Sequence, residues 1–334
     1  MKRILLHERF RRPPWFLDKD HYLREGDHPV TSGPNARYPR LVPLLIFDYG
    51  SLWGRIKRMV RLRQSMTANM RELRRANTSI RENPRLGNTR IDATTLADLE
   101  TYARSLGVSE IGYTRVNPDY IFKDLSILYP NAIVFAMEMD LEKIEQAPSV
   151  PTLMEIFRTY YQLGYVVNQI SDFLRERGFN AHAGPALGSE GSFVPMARDA
   201  GLGEVGKNGM LITKTYGPRV RLAAVYTDIE NLPFAEENPH AWVRDYCDMC
   251  NSCVKHCPAN AIFLEPREAP EGGPVFIDHK KCAVPFSTMD GCTLCIKHCP
   301  FMYGRYDQLH ERQRTHSMTA SKDSEEVEAG AVTV

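Results

Sequence analysis

Strand and helix patterns alternate from residue 86 to about 230, and a block holding all eight cysteines follows, from Cys247 to Cys299. These two observations predict an α/β (α+β) layered domain followed by a small domain organised by its cysteines. An apolar share of 43% over 334 residues is enough to build a real core for one large or two modest domains.

Residues 1–50 are rich in Pro, Arg and aromatics, show no clear period, and read as an extended arm wrapping a core. Residues 51–85 read as helix, with Ile56, Met59, Val60, Leu62, Met66, Met70 and Leu73 near helical spacing. Ten basic residues fall between Arg55 and Arg85. They are read as a solvated face, with docking of an acidic partner as the functional rival and membrane-surface binding as a weaker one. A helix is expected over 94–106, capped by Asp92 or Thr94. Residues 111–113 and 132–137 read as buried strands, and 153–177 as a long helix stopped by Gly178. A short strand is expected over 179–182, then a Gly-rich loop over 184–209. Strands over 210–213 and 219–226 flank a tight Tyr216-Gly217-Pro218 turn. The expected units are an arm and basic helix (1–85), the layered domain (86–240), the cysteine domain (241–305) and a disordered tail (306–334), small and acidic from Ser317 onward.

The 42 Lys+Arg nearly cancel the 41 Asp+Glu, so charge gives no reason to expect nucleic acid as a ligand. No run reaches the roughly 18 apolar residues of a membrane span. The start, Met1 to Glu8, carries charge where a signal peptide needs an apolar stretch, and Arg11-Arg12 leads into Pro13-Pro14-Trp15. The expected location is therefore the cytoplasm, where structural disulfides are rare and a dense cysteine block points to metal.

The cysteines form two motifs, Cys247-x2-Cys250-x2-Cys253-x3-Cys257-Pro258 and Cys282-x9-Cys292-x2-Cys295-x3-Cys299-Pro300. The first is the bacterial ferredoxin run, in which the fourth Cys ligates the other of two [4Fe–4S] clusters. Short spacing lets three thiolates from one loop grip three corners of a cube, and the Pro turns the chain away. By this crossing rule Cys247, Cys250, Cys253 and Cys299 hold one cluster, and Cys257, Cys282, Cys292 and Cys295 the other. Paired zinc sites are the rival, but they need only two short Cys-x2-Cys knuckles. The isolated Cys282 leaves a [3Fe–4S] second cluster open. Two clusters in one small fold make a short electron wire, and the rest of the chain should hold its terminus.

Gly201-x-Gly203-x-x-Gly206 matches a dinucleotide fingerprint, yet the strand that should precede it is missing, and 192–198 looks like the start of a helix. Clustered glycines also let backbone N–H groups approach a bulky or phosphate-bearing ligand.

The run Val194-Pro195-x-Ala197-x-x-Ala200-Gly201-Leu202-Gly203-Glu204-x-Gly206-Lys207-Asn208-Gly209-Met210-Leu211-Ile212 continues into Gly217-Pro218-Arg219-x-Arg221, Thr227-Asp228 and the two cysteine motifs. This order resembles the cobalamin-dependent iron–sulfur reductases, meaning the reductive dehalogenases and epoxyqueuosine reductases, over about residues 95–305. Glu204 and the Gly-Pro-Arg turn resemble the dehalogenase branch more closely. The resemblance implies a nitroreductase-like cobalamin-binding domain followed by a ferredoxin-like 2×[4Fe–4S] domain, with base-off corrinoid beside the clusters. It implies cofactor contacts from Gly201, Leu202, Gly203, Glu204, Gly206, Lys207, Asn208 and Gly209. It also implies a tyrosine proton donor assisted by a basic residue, which fall on Tyr160 and Arg219. A phenol can protonate a carbanion-like product, and a fixed guanidinium assists it. The structural alternatives are a core tyrosine at 160 and an Arg219 paired with Asp228 or Glu204. The sequence departs from the dehalogenase pattern at Pro185 to Glu190, where a polar stretch is usual. Glu190 lies nearest the acidic donor of the queuosine branch, and His182 is read as packed rather than as a cobalt ligand.

The expected function is a cobalamin-dependent iron–sulfur reductase that takes electrons from a ferredoxin or flavodoxin and reduces a small organic molecule. The rivals are an electron-transfer or reductive-activation protein serving a corrinoid or flavin held by a partner, and a flavin-bound nitroreductase-like enzyme.

Overall fold

A computed structural model describes residues 22–38, 47–84, 86–268 and 274–315. The arm call for 1–21 and 39–46 and the tail call beyond 315 lie outside the described residues. Within the described residues 22–38, two contacts reach the layered body. Strand β1 (Val30–Thr31) is later paired by the Ser126–Ile127 strand, and Asn35 donates its backbone and side-chain N–H groups to Asp119.

Helix α1 (Leu52–Thr78) starts where the Ser51 hydroxyl accepts the Gly54 amide. It buries Leu62, Asn69, Leu73 and Ala76 and runs directly into a four-residue 3₁₀ turn, Ser79–Glu82. The polar members of that buried stripe are satisfied. Asn69 Nδ2 donates to Ser65 O at 2.8 Å, and Asn168 Nδ2 donates to Glu72 Oε2 at 2.9 Å. Helix α2 (Ala93–Ser105) is capped by Asp92, whose carboxylate accepts the Thr95 amide.

Strands β2 (Glu110–Arg115), β3 (Ser126–Ile127) and β4 (Asn131–Glu138) come next. A single-turn helix α3 (Leu141–Glu145) leads into the long α4 (Val150–Glu176), which stops before Gly178 at φ +82°. The next strand, β5, covers His182–Gly184, so the strand expected over 179–182 is displaced toward the C-terminus. The Gly178 turn and the Phe179 amide bond to Leu174 O consume the residues between. Helix α5 (Phe193–Asp199), the short hairpin β6 (Glu204–Val205) and β7 (Leu211–Ile212), and strand β8 (Val220–Thr227) complete the domain.

The central sheet has the order β2-β4-β8-β5, and all its pairings are antiparallel, which makes the layered domain α+β. Strand β4 is buried on both sides because helices cover both faces. Its alternate residues divide accordingly. Ile133, Phe135 and Met137 pack with α2 and α4, while Ala132, Val134 and Ala136 pack with Phe193, Met196 and Ala197 of α5.

The cysteine-bearing segment packs against one end of this body. It contains α6 (Trp242–Cys250), α7 (Ser252–Lys255), the antiparallel hairpin β9 (Ile262–Glu268) and β10 (Pro274–Ile277), α8 (His279–Thr288) and α9 (Leu294–Lys297). Contrary to the tail expected from 306, residues 306–315 form a further helix. It buries Tyr306 and Leu309 against Val243, Tyr246 and Phe301, an anchor its polar composition conceals. No helix among the described residues is long and apolar enough to cross a membrane.

Candidate redox site

The eight cysteines are free thiols. Helix α6 carries Cys247 and Cys250, Asn251 turns the chain in the left-handed region at φ +50°, and α7 then presents Cys253. These three thiols line one small pocket with Cys299, which arrives from the far end of the segment. Burial pushes the Cys247 thiol up to about 12, and the charges of Cys253 and Cys250 add to it. Burial also raises Cys299, followed by Cys247, Cys253 and Cys250.

Cys257, Cys282, Cys292 and Cys295 form the other group. Burial lifts Cys282 to about 11, with Cys292 and Cys257 contributing. Cys295 is pushed far up by burial, then by Cys282, Cys292, Cys253 and Cys257. Helix α9, which carries Cys295, packs against α7, which carries Cys253, and so sets the two groups side by side. Burial thus disfavours the charged thiolate at Cys247, Cys253, Cys282, Cys292, Cys295 and Cys299. A cationic metal group reverses that balance, so the donor chemistry fits an iron–sulfur centre.

Beyond the second group, Cys295 and Ile296 pack with Met139 and Met302. The Met139 sulfur lies 3.5 Å from an Arg221 guanidinium nitrogen, and that guanidinium lies over the Tyr160 ring at 3.9 Å. A continuous set of contacts thus joins the second thiol group to Tyr160. Tyr160 is half-buried beside Leu62, Phe157 and Phe286.

Arg219 is placed elsewhere than the sequence expectation puts it. Its Nη1 donates to Glu138 Oε1 at 2.5 Å and to Met139 O at 2.7 Å, and its Nε donates to Met302 O at 3.3 Å. The residue on Tyr160 is Arg221, two positions on. The missed signal was the period of two along β8, which makes Arg221 the next side chain on that face.

The glycine-rich motif serves mainly the fold. A Cβ on Gly203 would meet Ile212 O at 2.3 Å, and one on Gly206 would meet Ile212 Cδ1 at 2.6 Å, so both glycines permit the β6–β7 hairpin to close. A helix precedes the motif and a hairpin follows it, the reverse of the strand-turn-helix that a dinucleotide fingerprint needs. Leu202 packs on the α5 side of the sheet, and Gly201 turns the chain at φ +71°. Glu204 accepts the Val205 amide and Asn238 Nδ2. Glu204 and Gly209 line a cleft of about 570 Å³ with Val194 and Pro195, and Arg37, Arg198 and Arg244 also border it. Lys207 and Asn208 instead line the first thiol pocket.

His182 is fully buried, with Nδ1 accepting the Leu128 amide and Nε2 3.8 Å from Glu190 Oε2. Both belong to the packed core around Tyr226. One polar group escaped the sequence reading. The buried Glu155 carboxylate binds Arg158, Lys143 and the Asp140 amide. It lies beside a second cleft of about 470 Å³ between α1 and α4.

Residues 246–303 match the family of 4Fe-4S dicluster domains. A tetrachloroethene reductive dehalogenase of Desulfitobacterium hafniense is 39% identical over 173 residues, covering 50% of this chain and 30% of that protein. An epoxyqueuosine reductase of Listeria monocytogenes is 40% identical over 80 residues, covering 24% of this chain and 20% of that protein. The fold is shared with a solved reductive dehalogenase whose structure suggested a mechanism for B12-dependent dehalogenation, at a TM-score of 0.58 and 20% identity over 73% of this chain and 38% of the other. The matched stretches span under a third of the length of these curated proteins, and over them the chain is similar to reductive dehalogenases and epoxyqueuosine reductases, with residues 246–303 matching a 4Fe-4S dicluster domain.

Proposed function

We propose that this chain is a cobalamin-dependent, reductive dehalogenase-like iron–sulfur reductase acting on a small organic substrate. The observation that carries the reading is the run of contacts from Cys295 through Met139 and Arg221 to Tyr160. Cys247, Cys250, Cys253 and Cys299 would hold one [4Fe–4S] cluster, and Cys257, Cys282, Cys292 and Cys295 the other. The α+β domain is read as a nitroreductase-like corrinoid domain. The corrinoid would lie near Tyr160; the 570 Å³ cleft, lined by Asp119 and Glu204 as well as three arginines, includes neither Tyr160 nor Arg221 and is not assigned to it. When bound, the corrinoid would supply the cobalt chemistry that reduces the substrate.

The chain's own residues divide the remaining work. Tyr160 holds a proton at its phenolic oxygen for a carbanion-like product. Arg221 lies on the ring face and fixes the ring's orientation, and Thr159 steadies Arg221 through a 3.5 Å contact to its hydroxyl. Arg219 holds the strand end against Met139 and Met302. The electron donor in this reading is a ferredoxin or flavodoxin of the cytoplasm.

The test is anaerobic reconstitution with iron, sulfide and cobalamin. The expected protein holds about eight irons and a stoichiometric corrinoid with a base-off Co(II) EPR signal. Tyr160→Phe should keep both and lose turnover. Absence of corrinoid binding at saturating cobalamin would sink the proposal.

One observation favours the second reading, delivery of electrons to a partner-held cofactor. Helix α1 exposes Leu52, Trp53, Ile56, Met59 and Val60 on its outer side, an apolar surface suited to docking. That reading is supported if iron-replete protein binds no corrinoid yet reduces a corrinoid protein.

A further inference from the structure

The Lys207-Asn208 pair sits where the two cysteine loops meet the layered domain. The amides of Gly206 and Gly209 close a tight turn on Met210 O and Gly206 O, and this turn pushes residues 207 and 208 into the cysteine segment. The Lys207 side chain is only 5% exposed. Its ammonium lies 2.9 Å from Asp248 Oδ1 and donates to Asn251 Oδ1 at 3.0 Å. Both partners belong to the loop that carries Cys247, Cys250 and Cys253, and Lys207 lines the pocket those thiols share with Cys299. Asn208 reaches the other way, with Nδ2 3.5 Å from Cys295 O.

We propose that Lys207 is a positioning residue whose buried charge raises the reduction potential of the cluster held by Cys247, Cys250, Cys253 and Cys299, a role that rests on the cluster reading above. Reduction adds one electron to the cluster from a low-potential donor, with no bond made or broken. A nearby cation stabilises the added negative charge, and the effect is strong where water is excluded. Asp248 opposes Lys207, but its side chain is 49% exposed, so water screens the carboxylate more than the ammonium. The screened carboxylate therefore offsets only part of the ammonium's charge. A further contact acts in the same sense, since the Lys207 amide is directed at the Cys247 sulfur.

The experiment is an EPR-monitored redox titration of the full chain, reconstituted anaerobically. Lys207→Met keeps the stem and removes the charge. At the wild-type midpoint its reduced-to-oxidised ratio for this cluster should fall about tenfold, a downward shift of about 59 mV for one electron. Asp248→Asn should shift the midpoint upward, and Lys207→Arg should hold it near the wild-type value. A residue that merely ties two loops together would not produce opposite shifts from Lys207→Met and Asp248→Asn. Unmoved midpoints, or shifts of the same sign, in iron-replete variants overturn this inference alone. If Lys207→Met fails to assemble its cluster, Asp248→Asn decides: a raised midpoint supports the inference, and an unchanged or lowered one overturns it. Iron-free wild-type protein would overturn the cluster reading and this inference with it.

Discussion

Replacing Arg219 with Met separates a structural from a catalytic guanidinium. The side chain is 6% exposed and joins the end of β4 to the cysteine segment through Met139 O and Met302 O. Met139 is 1% exposed and Met302 fully buried, so each carbonyl loses its guanidinium donor with no water to replace it. An orphaned buried acceptor costs about 1–3 kcal/mol. The ion pair to Glu138 counts for less, because that carboxylate is 39% exposed and a screened pair contributes about 1 kcal/mol at most. The expected loss is about 4 kcal/mol, roughly a thousandfold in the folding equilibrium. In anaerobic urea titrations followed by tryptophan fluorescence the midpoint should fall by about 1 M. The Arg219→Lys variant should recover only part of this, since an ammonium cannot span all three acceptors. An unchanged midpoint combined with abolished turnover would refute the reasoning and return Arg219 to the proton-transfer machinery.

The cysteine groups and the buried carboxylate give two more expectations. Cys299→Ala and Cys253→Ala should erase the same cluster signal and about four of about eight irons, while Cys295→Ala erases the other signal. Loss of one shared signal from Cys299→Ala and Cys295→Ala would contradict the grouping. Burial works to raise the Glu155 carboxyl, but Arg158, the Asp140 amide and Lys143 outweigh it and hold it down to about 2, against an ordinary value of 4.5. A carboxyl depressed on folding stabilises fully above its unfolded value and loses that contribution as pH falls from about 4.5 toward 2. Glu155→Gln should therefore be less stable than wild type at neutral pH, and the gap in urea midpoint should close across that acid window. A gap that stays constant would show that the carboxylate's charge contributes nothing.

The helices and main strands were legible because their signals are local. The Asp92 cap, the stop at Gly178 and the apolar stripe of α4 each act within a few residues. The strand displaced to His182–Gly184 was not legible, since turn geometry after Gly178 consumed the residues that looked extended. Nor was the helix over 306–315, whose polar composition hides the two side chains, Tyr306 and Leu309, that anchor it.

By itself the sequence determined where the thiols lie and how they are spaced, because a cluster loop is a short-range object written in consecutive residues. It also determined that a glycine-rich turn leads into a strand through the closely spaced Arg219 and Arg221. Only the tertiary structure decided which arginine faces Tyr160, since that depends on how β8 lies across α4, a contact between residues about sixty apart in the chain. It likewise turned Lys207 and Asn208 from a presumed cofactor loop toward the cysteine segment. The hairpin that aims them closes through Gly203 and Gly206 against Ile212, and their partners Asp248, Asn251 and Cys295 reach them only when the two domains pack together.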